Sequence, residues 1–298
     1  MYIAEILAIS AAICIALSGL LIGELRGQVD VFRLGRWQMT TAAALTGAVA
    51  LATGGWQTVA PWQFGYLFAS SLFGIIFASS FYFAAIFLSG ARTTAVMFSL
   101  TSPFALFFGF AVLGETVNLQ QSAGIVLVLG GILLAIVFGE TRGSEGASSG
   151  IPGRTLLRKG LICGLLAALG QALGSLCARP AMASGVDPFA AMAIRAGIAS
   201  VFYIAVAFLP FRMFRKPYAF AWKPFAIGVA SAVIGVGFGM SLLMAALAYG
   251  NVGIVSTLSS LTPVVILPMI WVRTRRPPPL PAWIGATIAV AGTALIAA

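Results

Sequence analysis

Ser256, Ser259, Ser260 and Pro263 follow one another at spacings of 3, 4 and 7 residues inside an apolar run, so a helix there carries three hydroxyls and a proline on one face. An earlier stretch has the same layout, with Val96, Ser99, Leu100 and Pro103 on the face and Thr94, Thr101 and Ser102 beside it. Proline removes one backbone donor and disturbs the carbonyl one turn before it. The carbonyls of Ser99 and Ser259, four residues ahead of Pro103 and Pro263, are therefore candidate acceptors for a solute or water, and the two prolines are candidate hinges. The same hydroxyls would also suit bonding to their own backbone and close helix packing.

Other polar groups fall deep in apolar runs. Tyr82 joins a flat apolar ring to a hydroxyl and follows Ser79 and Ser80; Ser241 and Met244 sit at the corresponding depth later in the chain. Gln171 and Ser175 lie one turn apart, and Ser10, Cys14 and Ser18 mark one face of the first run. A central Arg, Lys or Asp costs about 2.5–3.5 kcal/mol on the insertion scale, so charges in such runs need a partner, an aqueous cavity or a route to the surface. Arg195 could snorkel to the interface or hold a carboxylate; Arg179, just before Pro180, could also snorkel. Glu5 is the one acid within an early run and the only coupling candidate for proton antiport, although it lies close to the outer surface. Glu115 is expected to cap or pin a short loop.

The chain has no histidine and no phosphate-binding glycine loop, which removes histidine-based metal sites, histidine proton relays and ATP hydrolysis by that route. Cys14, Cys163 and Cys177 all fall in apolar runs without a CxxC pair and read as small apolar fillers. No metal or cofactor is expected, and the absence of an acidic pair makes a membrane-embedded enzyme a poor reading.

These residues must be positioned by a membrane. Of 298 residues, 60% are hydrophobic and 8% charged, where a soluble domain carries about 25% charged residues. The net charge of +10 resides in loops, so it speaks of orientation and lipid contact and not of nucleic acid. A span needs about 20 apolar residues, and the runs divide into ten: 3–23, 38–54, 63–88, 93–113, 119–138, 160–183, 188–210, 224–248, 252–272 and 280–298. All are expected to be helical, because an open strand would leave backbone groups unpaired in lipid. No Lys or Arg precedes the first run, so it is expected to remain as a span and not be cleaved as a signal. Residues 140–159 form a polar linker between blocks 1–139 and 160–298.

Fifteen of the 17 Lys and Arg residues fall in the linker or in loops after odd-numbered spans, and only Arg179 and Arg195 do not. The positive-inside bias then puts the linker in the cytoplasm and both termini outside, in a multi-pass inner-membrane protein.

The two blocks resemble each other. Gly90, Ser99 and Pro103 match Gly250, Ser259 and Pro263 at an offset of 160; Gly124 and Gly131 match Gly285 and Gly292 at 161; Val29, Asp30 and Phe32 match Val186, Asp187 and Phe189 at 157. Ser18 likewise aligns with Ser175, which suggests that the first and sixth spans face each other. Five spans is an odd number, so the second block enters the bilayer from the opposite side. The expected fold is an all-α integral membrane protein of ten transmembrane helices in two inverted five-helix repeats. Gly235 and Gly239 form a GxxxG pair, and Gly285, Ala289 and Gly292 a small face, both suited to close helix contact.

The Gly90–Pro103 stretch, Gly114-Glu115, the Gly124–Gly131 helix and their repetition resemble the EamA-type, ten-helix branch of the drug/metabolite transporter superfamily. That resemblance implies a transporter, commonly an exporter of amino acids, metabolites or drugs. The expected lining of Ser, Thr, Met and aromatic residues suits amphipathic solutes such as amino acids, with a lipid or lipid-linked headgroup flippase as the alternative. The partners expected are a small-molecule substrate and the bilayer, with the chain as monomer or homodimer.

Overall fold

The computed structural model describes residues 2–25, 27–138, 154–208, 221–275 and 279–297. All its regular elements among these are helical: α1 (Ile3–Glu24), α2 (Val31–Thr53), α3 (Pro61–Ser71), α4 (Ala78–Phe98), α5 (Thr101–Leu113), α6 (Leu119–Phe138), α7 (Arg154–Ala183), α8 (Pro188–Phe208), α9 (Trp222–Ser231), α10 (Met240–Tyr249), α11 (Val252–Ser259), α12 (Thr262–Thr274) and α13 (Leu280–Ala297). Much of the linker lies outside the described residues.

Several helices are long and apolar enough to cross a membrane, which makes this a multi-pass membrane protein. Six such runs occur among the described residues: Ile3–Glu24, Pro61–Ser89, Arg158–Ala183, Pro188–Phe208, Trp222–Tyr249 and Val252–Met269. Thr101–Leu113, Leu119–Leu134 and Leu280–Ile296 are shorter apolar helices. The exterior is correspondingly greasy, with Leu119 88% and Phe208 80% exposed, while the interior rests on small side chains such as Ala8, Ala11, Ala12, Ala167 and Ala168 at 0% exposure. Between helices in lipid, close approach of backbones replaces a hydrophobic driving force.

The elements differ from simple hydropathy runs in three places. The second helix starts at Val31, ahead of the run beginning at residue 38, because the Asp30 carboxylate accepts from Arg33 N at 2.8 Å and caps it. In the second half, Asp187 accepts from Ala190 N at 2.8 Å in the same role at the start of α8. The expected runs 93–113 and 252–272 are broken: α4 ends at Phe98 and α5 starts at Thr101, as α11 ends at Ser259 and α12 starts at Thr262. Pro103 and Pro263 therefore stand in the first turn of a new helix, where a missing N–H costs little, and not in the middle of a continuous one; the side chain of Pro263 lies outside the described ones. The helices Pro61–Phe98 and Trp222–Tyr249 are each interrupted by a π-helical turn, Leu72–Phe77 and Ala232–Gly239, beginning at an offset of 160. Such turns are frequent at functional sites.

The chain has two repeats, and packing pairs their equivalents: α6 lies on α13, α2 on α8, and the contacts of α1 with α10 and α12 are mirrored by those of α7 with α4 and α5. The glycines give the finest view. A Cβ on Gly124 would stand 2.8 Å from Gly292 O, and one on Gly131 2.5 Å from Gly285 O. Since Gly124 corresponds to Gly285 and Gly131 to Gly292, residue i of one repeat meets the counterpart of j while j meets the counterpart of i. That reciprocity is what a two-fold relation between repeats produces.

Candidate functional site

A cavity lies where the two π-helical turns approach α1 and α7. Its volume is about 150 Å³. From the first repeat, Ser18 (α1), Gly74 and Ile75 (the π turn), Tyr82 (α4), Ser99 and Thr101 reach it; from the second, Gln171 and Ser175 (α7), Gly235 and Val236 (the π turn), and Ser256, Ser259 and Ser260. Eight expected site residues thus come together: Tyr82, Ser99, Thr101, Gln171, Ser175, Ser256, Ser259 and Ser260.

The helix breaks explain part of this lining. Where α11 ends, Ser259 Oγ and Ser260 Oγ both donate back to Ser256 O, at 3.1 and 2.7 Å. Thr262 Oγ1 donates to Ser259 O at 3.0 Å, so that carbonyl, expected to be available to a solute, already has a partner. Ser99 O accepts from Ser102 N at 3.3 Å in the matching break. The hydroxyls line the cavity and secure the break at once.

Three expected residues lie outside the wall. Ser102 is fully buried against Thr257, a hydroxyl pair that ties α5 to α11. Ser241 donates to Gly237 O at 2.6 Å, one turn back, and serves the π turn. Arg195 is 0% exposed: Nη1 donates to Met244 Sδ at 3.0 Å, while Nε and Nη2 have no hydrogen-bond partner. It does not snorkel, because it lies in a stretch of α8 that is buried in the bundle on all sides, from Ala190 to Ala196.

The coupling candidate Glu5 does not border the cavity; its Oε2 is buried without a hydrogen-bond partner in the first turn of α1. Pro103 is also off the wall.

Gln38 is a lining residue that hydropathy reasoning missed. It is 1% exposed, and its Nε2 donates to Ser231 Oγ at 2.9 Å, just before the second π turn. Ser231 O in turn accepts from Ser18 Oγ at 2.9 Å. With the second run expected to begin at residue 38, the glutamine read as an end residue; the Asp30 cap eight residues earlier was the signal that places it two turns inside.

One end of the bundle is tied across the repeats. Arg179 Nε donates to Glu115 Oε1 at 3.3 Å and its Nη1 to Leu247 O at 2.8 Å. Glu115 Oε2 accepts from Val252 N at 2.7 Å, capping α11 from outside its own segment, and Asn251 Nδ2 donates to Thr116 O at 3.3 Å. Glu115 therefore pins more than its loop, and Arg179 is paired where snorkelling was expected. GxxxG serves packing: a Cβ on Gly235 would collide with the Ser18 side chain, and one on Gly239 would stand 3.0 Å from Cys14 Cβ.

Among the described residues no three His, Cys, Asp or Glu side chains converge as a metal site. The assembly is suited to binding an uncharged or amphipathic solute in a mostly apolar chamber through hydroxyls and amides.

Comparison with known proteins agrees with the two-repeat reading. Residues 2–137 and 158–298 each match the model of the EamA-like transporter family. A solved structure described only as "Crystal structure of protein" superposes with a TM-score of 0.78 at 20% identity, covering 98% of this chain and 95% of that one, a likeness of fold. No curated protein matches.

Proposed function

Because the chain belongs to the EamA-like transporter family, we propose that it is a secondary transporter of small organic solutes, an exporter of amino acids or related metabolites, working by alternating access. The observation that carries this reading is the cavity at the junction of the two repeats, mostly apolar but bearing amides and hydroxyls, with Gln171 and Ser175 from one repeat and Gln38, Ser99 and Tyr82 from the other. In inverted-repeat carriers the site lies at the repeat interface, and rocking of one block against the other opens it to each side in turn.

The finer architecture belongs to the same proposal: ten spans, inverted repeats at 1–139 and 160–298, and a linker at 140–159. Glu5 stands as the coupling carboxylate. In this picture the helix breaks before Pro103 and Pro263 act as hinges, since each leaves two residues between helical segments to absorb a change of angle.

Transport by purified protein in proteoliposomes tests the function. Gln171→Ala and Ser259→Ala each remove a cavity group, and each should raise the half-saturating concentration of a transported solute by about 2- to 10-fold, the worth of one net hydrogen bond. Unchanged kinetics at both would remove these residues from the site. Movement of a labelled lipid between leaflets, with no soluble solute carried, would replace solute export by headgroup flipping.

Orientation is tested separately. With the basic loops in the cytoplasm of a bacterial-type inner membrane, a reporter joined after Ala298 should work only if it is of the kind active outside the cytoplasm. Activity of a cytoplasm-only reporter there would reverse the topology.

A further inference from the structure

Arg195 is a fully buried cation with two guanidinium nitrogens unmatched. Its one close acceptor is a thioether, Met244 Sδ, and Met192 Sδ is more distant at 4.0 Å; a sulfur of this kind accepts weakly and carries no charge. Of the carboxylates elsewhere in the bundle, Asp187 is occupied as the cap of α8 and Glu115 is paired with Arg179. Among the described residues no carboxylate pairs with Arg195. A buried charge with no counter-ion is costly, and inside a membrane bundle it marks a site whose partner comes from elsewhere.

The guanidinium is also next to the cavity. A Cβ on Gly74 would stand 3.0 Å from Arg195 Nη2, and Gly74 is itself part of the cavity wall, as is Met192 on α8. What separates the guanidinium from the chamber includes one residue without a side chain, in the π turn Leu72–Phe77.

The repeat supplies the second half of the argument. The offset of 157 that aligns Asp30 with Asp187, the caps of α2 and α8, also aligns Gln38 with Arg195. Their settings correspond: Gln38 Nε2 bonds Ser231, immediately before the π turn of the second repeat, while Arg195 O accepts from Ser71 Oγ at 2.6 Å, immediately before the π turn of the first. Gln38 lines the cavity and Arg195 does not. When two inverted repeats exchange conformations, each residue acquires the surroundings its counterpart had. The reversal of access that hides Gln38 therefore exposes Arg195.

We propose that Arg195 enters the cavity in the oppositely facing state and there binds the carboxylate of an anionic or zwitterionic solute. This rests on the transporter reading given above. The substrate class follows from the donors: Nε and Nη2 lie on one edge of the guanidinium and match two carboxylate oxygens in the bidentate manner.

The experiment uses the full-length protein in proteoliposomes, with labelled L-serine, L-methionine and L-phenylalanine, the corresponding amino-acid amides, and the corresponding amines lacking the carboxyl group. The parent protein should carry acids in preference to amides and amines. Arg195→Gln should lower carriage of the acids by about 10- to 100-fold, the loss expected for a charge-assisted pair, while leaving amide carriage within about twofold. Arg195→Lys should restore part of the preference, since it keeps the charge and loses the fork. Equal carriage of acids and amides by the parent, or acid carriage unchanged in Arg195→Gln, overturns the inference and leaves the transporter reading standing. Carriage of none of the three classes by the parent overturns both. Should Arg195→Gln fail to fold, Arg195→Cys in a form lacking Cys14, Cys163 and Cys177 gives the second readout. Modification by a membrane-impermeant thiol reagent from one side, slowed by the acids and not by the amides, is the expected result; no modification from either side overturns the inference.

Discussion

Gly131→Val should cost the protein about 3 kcal/mol or more, while Gly130→Ala, one residue away, should leave stability unchanged or improve it. A Cβ at position 131 would stand 2.5 Å from Gly285 O, 2.9 Å from Ala289 Cα and closer still to Ala289 N. These are backbone atoms of α13, so no rotamer change relieves the clash and the two helices must separate. The damage would spread, because Gly124 and Gly292 rely on the same close approach further along the pair, with a Cβ on Gly292 lying 2.6 Å from Gly124 O. Gly130 faces outward with nothing within 4 Å of a Cβ, and alanine there gains up to about 1 kcal/mol of helix propensity. The measurement is the thermal midpoint of detergent-solubilised protein followed by size-exclusion chromatography. A fall of about 5–10 °C for the first substitution and none for the second is expected. Equal midpoints for the two variants would mean that α6 and α13 are not joined through this seam.

The same seam shows what a sequence of this kind reveals. Glycine spacing survives in apolar helices because it is set by backbone contact, so Gly124, Gly131, Gly285 and Gly292 expose the duplication directly. Ser256, Ser259 and Ser260 were likewise legible as one face, since three hydroxyls in an apolar run contrast with their surroundings. The breaks at residues 99–100 and 260–261 were not. They replace apolar helix with apolar turn and leave hydropathy unchanged, and the prolines that mark them begin the following helix as readily as they bend a continuous one. Gln38 was hidden for the opposite reason: Arg33 and Arg36 lower the hydropathy of α2 enough to make its first turns read as loop, although Asp30 caps them as helix.

Partners across the repeats were illegible in principle. Ser102 meets Thr257 at a separation of 155 residues and Gln38 meets Ser231 at 193; single residues in one sequence carry no signal of such pairs. Arg195 stood out because its charge is expensive wherever it lies. Its concealment behind Gly74 depends on the packing of the first π turn against α7, where a Cβ on Gly74 would fall 2.9 Å from Gly174 Cα, and hydropathy says nothing about that approach.

Glu115→Ala should loosen the end of the bundle that Glu115 and Arg179 tie together, and it should do so more than Glu115→Gln. The carboxylate has two tasks: Oε1 pairs with Arg179 and Oε2 accepts from Val252 N at the start of α11. Glutamine keeps an acceptor for that N–H and forfeits the charge pair, whereas alanine forfeits both and leaves Arg179 with only Leu247 O. Both side chains are mostly covered, at 19% and 14% exposure, so the loss exceeds that of an open surface pair and is about 1–3 kcal/mol for alanine, or about 5- to 150-fold in the balance of closed and open forms. The repeat makes the effect one-sided. Gly114 and Arg275 occupy equivalent left-handed positions after α5 and α12, at φ 66° and 55°, which puts an arginine, Arg276, opposite Glu115, while the offset of 157 puts Ile22 opposite Arg179. Near Ile22 the packing is apolar, among Leu25, Leu34 and Phe83. The Glu115–Arg179 pair itself is therefore not repeated at these counterpart positions, and an apolar cluster packs around Ile22. A cysteine at Ser256, in a form lacking Cys14, Cys163 and Cys177, reports the difference. In oriented vesicles its modification by an impermeant thiol reagent should quicken in Glu115→Ala from the Arg179 end and not from the Ile22 end. Equal rates with and without the Glu115 carboxylate would show that the ion pair does not hold that end closed.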